Sequence, residues 1–273
     1  MLTMVEVRTS QGALLGIPLD DISDGFVVEE IEGLDPVKAT LVSSSFARLD
    51  GEQYQSSRRE SRNIKLRLGL EPDYAFETVR DLRRRLYGFF MPKSVVKLRF
   101  ILSSGLFMDI EGRVESFETA LFTKEPAVDI SIICFDPDFT NPVPGVLSGA
   151  STATMTETLV PYDGTVESGL TFIMSVNRSI SELTIYHRPP DGTLRLLSFS
   201  APLIAGDLLT ISTVTGKKKA ERTRSNVVTS LLYGVSPQSN WIELMPGDNY
   251  IRVYALGAAI PFDIGYTSRY GGL

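Results

Sequence analysis

A chain of 273 residues with 43% hydrophobic and 22% charged side chains is long enough for two domains with substantial apolar cores. Its net charge of −6 and pI near 5.0 argue against the broadly basic surface that nucleic-acid binding by counterion displacement requires. The single cysteine, Cys134, excludes an intrachain disulfide, and no apolar run reaches the ~20 residues that span a bilayer. The opening Met1-Leu2-Thr3-Met4-Val5-Glu6 has neither the basic region nor the apolar core of a signal peptide. The chain is therefore expected to be made, and to stay or assemble, in the cytoplasm.

Period-two alternation dominates the first half. Val5, Val7 and Thr9 alternate with Glu6 and Arg8, Ser10-Gln11-Gly12 interrupts, and Ala13 to Ile17 resumes, which predicts an N-terminal hairpin. Further strands are predicted around Ile64–Leu68, Val96–Phe100, Phe107–Phe117 and Ala127–Phe135. One segment departs from this rhythm. Between Asp73 and Gly88 the apolar residues Ala75, Val79, Leu82 and Leu86 fall on one helical stripe. Asp73 is the expected N-cap, and Arg83-Arg84-Arg85 would complement the dipole in the last turn.

From Asp136 to Ser151 proline and glycine accumulate, which predicts an interdomain linker, with its centre at 143–150. Beyond it only strands are expected: Leu170–Val176, Glu182–His187, Leu194–Phe199, Leu208–Ser212, Trp241–Leu244, Tyr250–Ala255 and Phe262–Thr267. Turn pairs such as Asp191-Gly192, Gly206-Asp207 and Gly247-Asp248 separate them, the pattern of a β-sandwich. The overall expectation is a mainly β protein. It has an N-terminal sandwich or barrel-like domain with one helix (1–142) and a C-terminal β-sandwich (151–273).

No residue set assembles into a recognisable catalytic, cofactor or metal site. His187 is the only histidine, so a Ser-His-Asp triad or a histidine-rich metal centre would have to be built around it, and packing is the simpler role. Cys134 lies in the apolar run Ile132-Ile133-Cys134-Phe135 and is expected to be an inert buried thiol. Asp136-Pro137-Asp138 has the composition of a turn more than of a glycosidase carboxylate pair. Asp20, Asp21 and Asp24 lack the closing glutamate of a calcium loop. The tripled arginines 83–85 fan around a helix and are expected to serve helix ends and subunit salt bridges. Lys217-Lys218-Lys219 is expected at a hairpin tip, solvated or docked on an acidic neighbour.

The order of features resembles one family. The N-terminal hairpin is followed by Ile31-Glu32-Gly33-Leu34-Asp35-Pro36, a polar stretch with Asp50-Gly51, one helix, and paired strands ending at Phe135-Asp136-Pro137-Asp138. The second half carries Ala205-Gly206-Asp207-Leu208-Leu209-Thr210-Ile211 and Trp241-Ile242-Glu243-Leu244-Met245-Pro246-Gly247-Asp248-Asn249-Tyr250-Ile251, and closes on Phe262-Asp263-Ile264-Gly265-Tyr266. This succession is similar to the distal tail (Dit) proteins of long-tailed bacteriophages. The resemblance implies a ring-forming N-terminal domain and a galectin-like C-terminal domain. It implies a structural, non-enzymatic virion protein at the distal end of the tail, assembled in the host cytoplasm, with no cofactor. The implied partners are five further copies in a hexameric ring, the tail tube and tail hub proteins, and receptor-binding proteins, with viral DNA passing through the channel unbound and no membrane insertion. The rival expectation is a lectin-like host-adhesion module in the galectin-like half; Trp241, beside the Pro246-Gly247 turn, reads as a core or edge anchor, and no strand carries the polar set of a galectin-type sugar site.

Overall fold

The computed structural model describes residues 1–21, 24–47, 50–120 and 123–273, and the chain divides into two compact units. The first comprises Met1–Pro142 together with Gly271–Leu273, the second Val143–Tyr270. The expected linker is therefore corrected: within 143–150, Gly145–Ala150 is a strand of the second unit, paired antiparallel with Pro261–Tyr266. Pro142 and Pro144 stop pairing before Gly145 and not beyond it. The last three residues, expected in the C-terminal domain, group with the first unit.

The first unit contains β1 (Leu2–Thr9), β2 (Leu14–Pro18), β3 (Phe26–Glu32), β4 (Ala39–Ser44), β5 (Gln53–Arg59), β6 (Arg62–Leu70), α1 (Val79–Phe90), β7 (Val95–Leu102), β8 (Phe107–Ala120), β9 (Ala127–Cys134) and the short β10 (Phe139–Thr140). The main sheet runs β2-β1-β7-β8-β9-β6-β3 with antiparallel neighbours. The alternation read from the sequence is what builds it. Val5, Val7, Ile64, Leu66, Leu68, Val96, Leu98 and Phe100 are all almost completely buried, and Lys65, Arg67 and Lys97 between them are exposed. Arg99 lies opposite Asp109 in register and donates Nε to it at 2.7 Å, while Lys97 reaches the same carboxylate at 2.8 Å.

The helix begins five residues later than expected, with Thr78 and not Asp73 as its N-cap. Asp73 does form a cap, but of a tight turn: its side chain accepts from the Ala75 amide at 3.0 Å and its carbonyl from the Phe76 and Glu77 amides. Thr78 then starts α1 through a reciprocal capping box with Asp81. The helix continues past Gly88 to Phe90, so Arg83–Arg85 lie mid-helix and not in a last turn. The buried stripe is Leu82, Leu86 and Phe90, all 0% exposed. Ala75 is exposed and Val79 only half-buried.

The second unit contains β11 (Gly145–Ala150), β12 (Thr158–Tyr162), β13 (Ser168–Ser175), β14 (Ile180–Arg188), β15 (Arg195–Leu203), β16 (Leu208–Ser212), β17 (Lys219–Arg224), β18 (Val227–Ser230), β19 (Glu243–Leu244), β20 (Gly247–Tyr254) and β21 (Pro261–Tyr266). Two sheets, β11-β21-β13-β16-β17-β18 and β12-β20-β14-β15, enclose one core that includes Phe172, Ile185, Leu197, Ile211, Val253 and Ile264. This is the expected sandwich, with β11, β12, β17 and β18 added. Beyond the lysine tip the chain continues as β17, paired with β16 and β18, and Arg224 at its end is not a free charge. It clamps the buried Asp207 with Nη2 at 2.7 Å, and Asp207 also accepts from the Ile204 amide at 2.9 Å. The same Asp207 thus closes the Gly206 turn and fixes the neighbouring strand.

His187 is packed inside this core at 0% exposure. Asn249 donates Nδ2 to the Met245 and Gly247 carbonyls (2.7 and 2.9 Å), which fixes its Oδ1 as an acceptor. His187 Nε2, 2.9 Å from that oxygen, must then carry the proton, and Nδ1 is buried without a partner among the described residues. Burial lowers the His187 pKa from its ordinary 6.5. Below that value the unfolded chain binds a proton that the folded core resists, so stability is present above about pH 6.5 and falls as the pH drops below it. Trp241, the only tryptophan, packs against this core and reports its unfolding. The urea midpoint followed by Trp241 fluorescence is expected to fall between pH 7.5 and 5.5, and His187→Gln to remove that fall. An equal fall in the variant would show that other groups carry it.

Candidate assembly surface

The residues weighed for chemistry are scattered. Burial pushes the Cys134 thiol up to about 12, which keeps it protonated at neutral pH. Asp138 is buried and held bidentately by Arg59, with Nη2 to Oδ2 at 2.9 Å. Among the described residues no three His, Cys, Asp or Glu side chains converge to hold a metal ion. Residues 22 and 23, inside the Asp20–Asp24 stretch, lie outside the described residues. The three arginines diverge. Arg83 lies over Tyr87, Arg85 stacks on Phe26 at 4.4 Å, and Arg84 is exposed. At the lysine tip, Lys218 lies over the Trp241 ring at 5.6 Å and Lys219 pairs with Glu221 at 2.6 Å.

What the structure does gather is a set of backbone carbonyls around Arg62. This arginine is 1% exposed. Its Nε donates to the Pro137 carbonyl at 2.7 Å and its Nη1 to the Asp35 carbonyl at 2.7 Å. It also reaches the Gly33 carbonyl through Nη1 and the Gly271 carbonyl through Nη2. The guanidinium lies 4.4 Å from the Phe139 ring centroid. Desolvation lowers its pKa, but an arginine stays charged. Gly33 is required here: its φ is +84°, and a Cβ would sit 2.0 Å from the Asn63 carbonyl oxygen. The chain end completes the knot, with the Leu273 amide donating to the Leu34 carbonyl at 3.0 Å.

The knot roots a two-stranded ribbon. Among the described residues β4 and β5 pair only with each other, from Ala39 opposite Arg59 to Ser44 opposite Gln53. At the root, the Glu60 amide donates to the Lys38 carbonyl, Thr40 Oγ1 donates to Glu60 at 2.6 Å, and Arg59 grips Asp138. Beyond the root the ribbon is bare. Every residue of β5 is exposed, and Leu41 (68%), Val42 (48%), Phe46 (51%) and Tyr54 (61%) present apolar surface to water. Two-stranded ribbons are marginal alone, and clustered exposed apolar side chains mark contact surfaces. A second outcrop is the turn before α1, where Tyr74 and Phe76 are 78% and 90% exposed.

Arg62→Met would remove the hydrogen bonds that the guanidinium makes to these four carbonyls. It is expected to cost about 3–5 kcal/mol, and Arg62→Lys to recover little, because an ammonium lacks the planar fork. Deleting Gly271–Leu273 removes the Gly271 acceptor and the Leu273 donor and is expected to cost about 1–3 kcal/mol. Urea unfolding followed by far-UV circular dichroism measures all three. A loss under about 0.5 kcal/mol for Arg62→Met would show that the carbonyls find other donors.

Comparison with known proteins gives a consistent picture. Residues 163–270 match the family described as siphovirus-type tail component, C-terminal domain. No curated protein sequence matches the chain. Among solved structures, the Dit protein of phage SPP1, described as a paradigm of the hub adsorption apparatus in phages infecting Gram-positive bacteria, is 16% identical. It aligns over 97% of this chain and 98% of its own with a TM-score of 0.68. A chain of the phage P2 baseplate, in its activated conformation with Ca, aligns over 100% of both chains at 7% identity and a TM-score of 0.47. The first comparison extends a shared fold across both units.

Proposed function

We propose that this chain, a member of the siphovirus-type tail component family through its C-terminal unit, is a structural protein of the phage tail tip. In this reading its first unit closes into a homo-oligomeric ring, a hexamer, between the tail tube and the tail hub. The observation that carries the reading is the β4–β5 ribbon: rooted on a buried arginine, it exposes Leu41, Val42, Phe46 and Tyr54 and pairs with no third strand among the described residues. A ribbon of this kind gains a core only when another molecule lies against it, and a neighbouring copy supplies that in a ring of repeated heterologous contacts. The fold shared with the SPP1 Dit protein supports the same role. The second unit, read as a galectin-like sandwich, is the part of the chain proposed to carry receptor-binding proteins. The work of such a protein is geometric, and no step of it calls for a cofactor or a reacting side chain.

The test is the mass of the purified full chain by native mass spectrometry, beside a variant in which residues 39–59 are replaced by a short Gly-Ser linker. The wild type is expected at six times the chain mass and the variant as a folded monomer. A variant that assembles like the wild type would remove the ribbon from the interface, and a monomeric wild type would remove self-driven ring closure.

A further inference from the structure

Two charged surfaces of the first unit are left over once the ribbon and the Arg62 knot are accounted for. On the face of the main sheet turned away from the core, β3, β6, β9 and β8 form a groove of about 440 Å³. Five carboxylates line it: Glu30, Glu32, Glu115, Glu118 and Asp129. Its two cations are already engaged, Lys65 with Glu32 at 2.7 Å, and Arg67 with Asp129 at 3.1 Å and with Glu29 at 2.8 Å. Glu115 accepts from Ser131 at 2.8 Å. Among the described residues neither Glu30 nor Glu118 makes a salt bridge.

The second surface is the outer side of α1. Leu82, Leu86 and Phe90 point into the core, and at 100° per residue Arg84 lies nearly opposite that stripe, with Arg80 one turn earlier beside it. Both are exposed, and neither makes a salt bridge among the described residues. The nearest acid on the helix, Asp81, is committed to the Thr78 capping box. Arg83 and Arg85 differ in being laid over the Tyr87 and Phe26 rings.

The sheet thus has the helix on its core side and the groove on the other, so the cationic patch and the anionic patch of one unit point in different directions. Two complementary patches at different places on one body are what a head-to-tail ring requires, whereas a two-fold dimer requires a single self-complementary patch. We propose that α1 of one copy docks Arg80 and Arg84 into the acidic groove of the next copy. This inference rests on the ring reading above and assigns the contact that sets its direction. Charge-assisted hydrogen bonds from guanidinium to carboxylate fix geometry as well as attraction. Opposed potentials across the contact also disfavour the reversed, like-to-like pairing.

The test uses two full-chain variants at low ionic strength, where exposed charges are least screened. Arg80→Glu with Arg84→Glu reverses the helix, and Glu30→Lys with Glu118→Lys reverses the groove. Each variant alone sets like charges against each other and is expected to run as a monomer by native mass spectrometry. The equimolar mixture restores both contacts by alternation and is expected to regain the wild-type oligomer with equal numbers of the two chains. If either variant alone assembles like the wild type, or if the mixture stays monomeric, the proposed contact is wrong. In both cases the ring reading stands as long as the wild type assembles, and a monomeric wild type overturns both. Should the reversed helix fail to fold by circular dichroism, Arg80→Gln with Arg84→Gln carries the same test, with assembly weakened at least tenfold expected and unchanged assembly overturning it.

Discussion

A positive charge with no water around it holds the first unit together at its most improbable place. The Arg62 guanidinium donates to the carbonyls of Gly33, Asp35, Pro137 and Gly271 and is itself almost completely buried. These carbonyls belong to three stretches of chain: the approach to the ribbon, the exit from the last long strand, and the C-terminus. Each is irregular backbone that cannot satisfy itself. One planar fork with five N–H groups supplies them together, which is why the segments converge there. Removing the fork would take a donor from four carbonyls at once, so the expected cost exceeds that of an ordinary surface arginine several-fold.

The ribbon follows from this knot. A two-stranded hairpin with both faces in water has little of its own to fix its direction, so its orientation depends on its root. Arg59 on buried Asp138 and Arg62 on its carbonyls lie three residues apart and clamp that root from both sides. A rigid base with an apolar, uncovered extension describes a contact element. The same economy governs the second unit, where Asp207 ties a turn to a strand and Asn249 ties the Pro246-Gly247 turn to His187. In each case one polar side chain secures a turn so that the strands on either side keep register.

Much of the fold was legible because burial on one face writes period two into the sequence. β1, β2, β6, β7, β9 and most of the second sandwich follow directly from their alternation. What was not legible shares a physical cause, weak or absent one-sided burial. β5 reads Gln-Tyr-Gln-Ser-Ser-Arg-Arg and is exposed throughout, so no periodicity marks it. β11 reads Gly-Val-Leu-Ser-Gly-Ala beside prolines and has a linker's composition. The helix start moved because Asp73 and Thr78 are both good caps, and only the reciprocal partner Asp81 decides between them. Of the candidate assembly surface almost nothing was visible in advance. Arg62 stands in a run with Arg58 and Arg59 and differs from them only in what the fold brings around it. The Ile31-Glu32-Gly33-Leu34-Asp35-Pro36 and Phe135-Asp136-Pro137-Asp138 motifs did mark two of the three segments it joins.

The central claim is that the β4–β5 ribbon is a surface built to be covered by another copy. Amide hydrogen exchange over residues 39–44 and 53–59 addresses it most directly, measured on the assembled oligomer and on chain diluted to the monomer. The account predicts exchange slowed at least tenfold in the oligomer, with the buried strands of the second unit unchanged between the two states. Equal, rapid exchange of the ribbon in both states would contradict it.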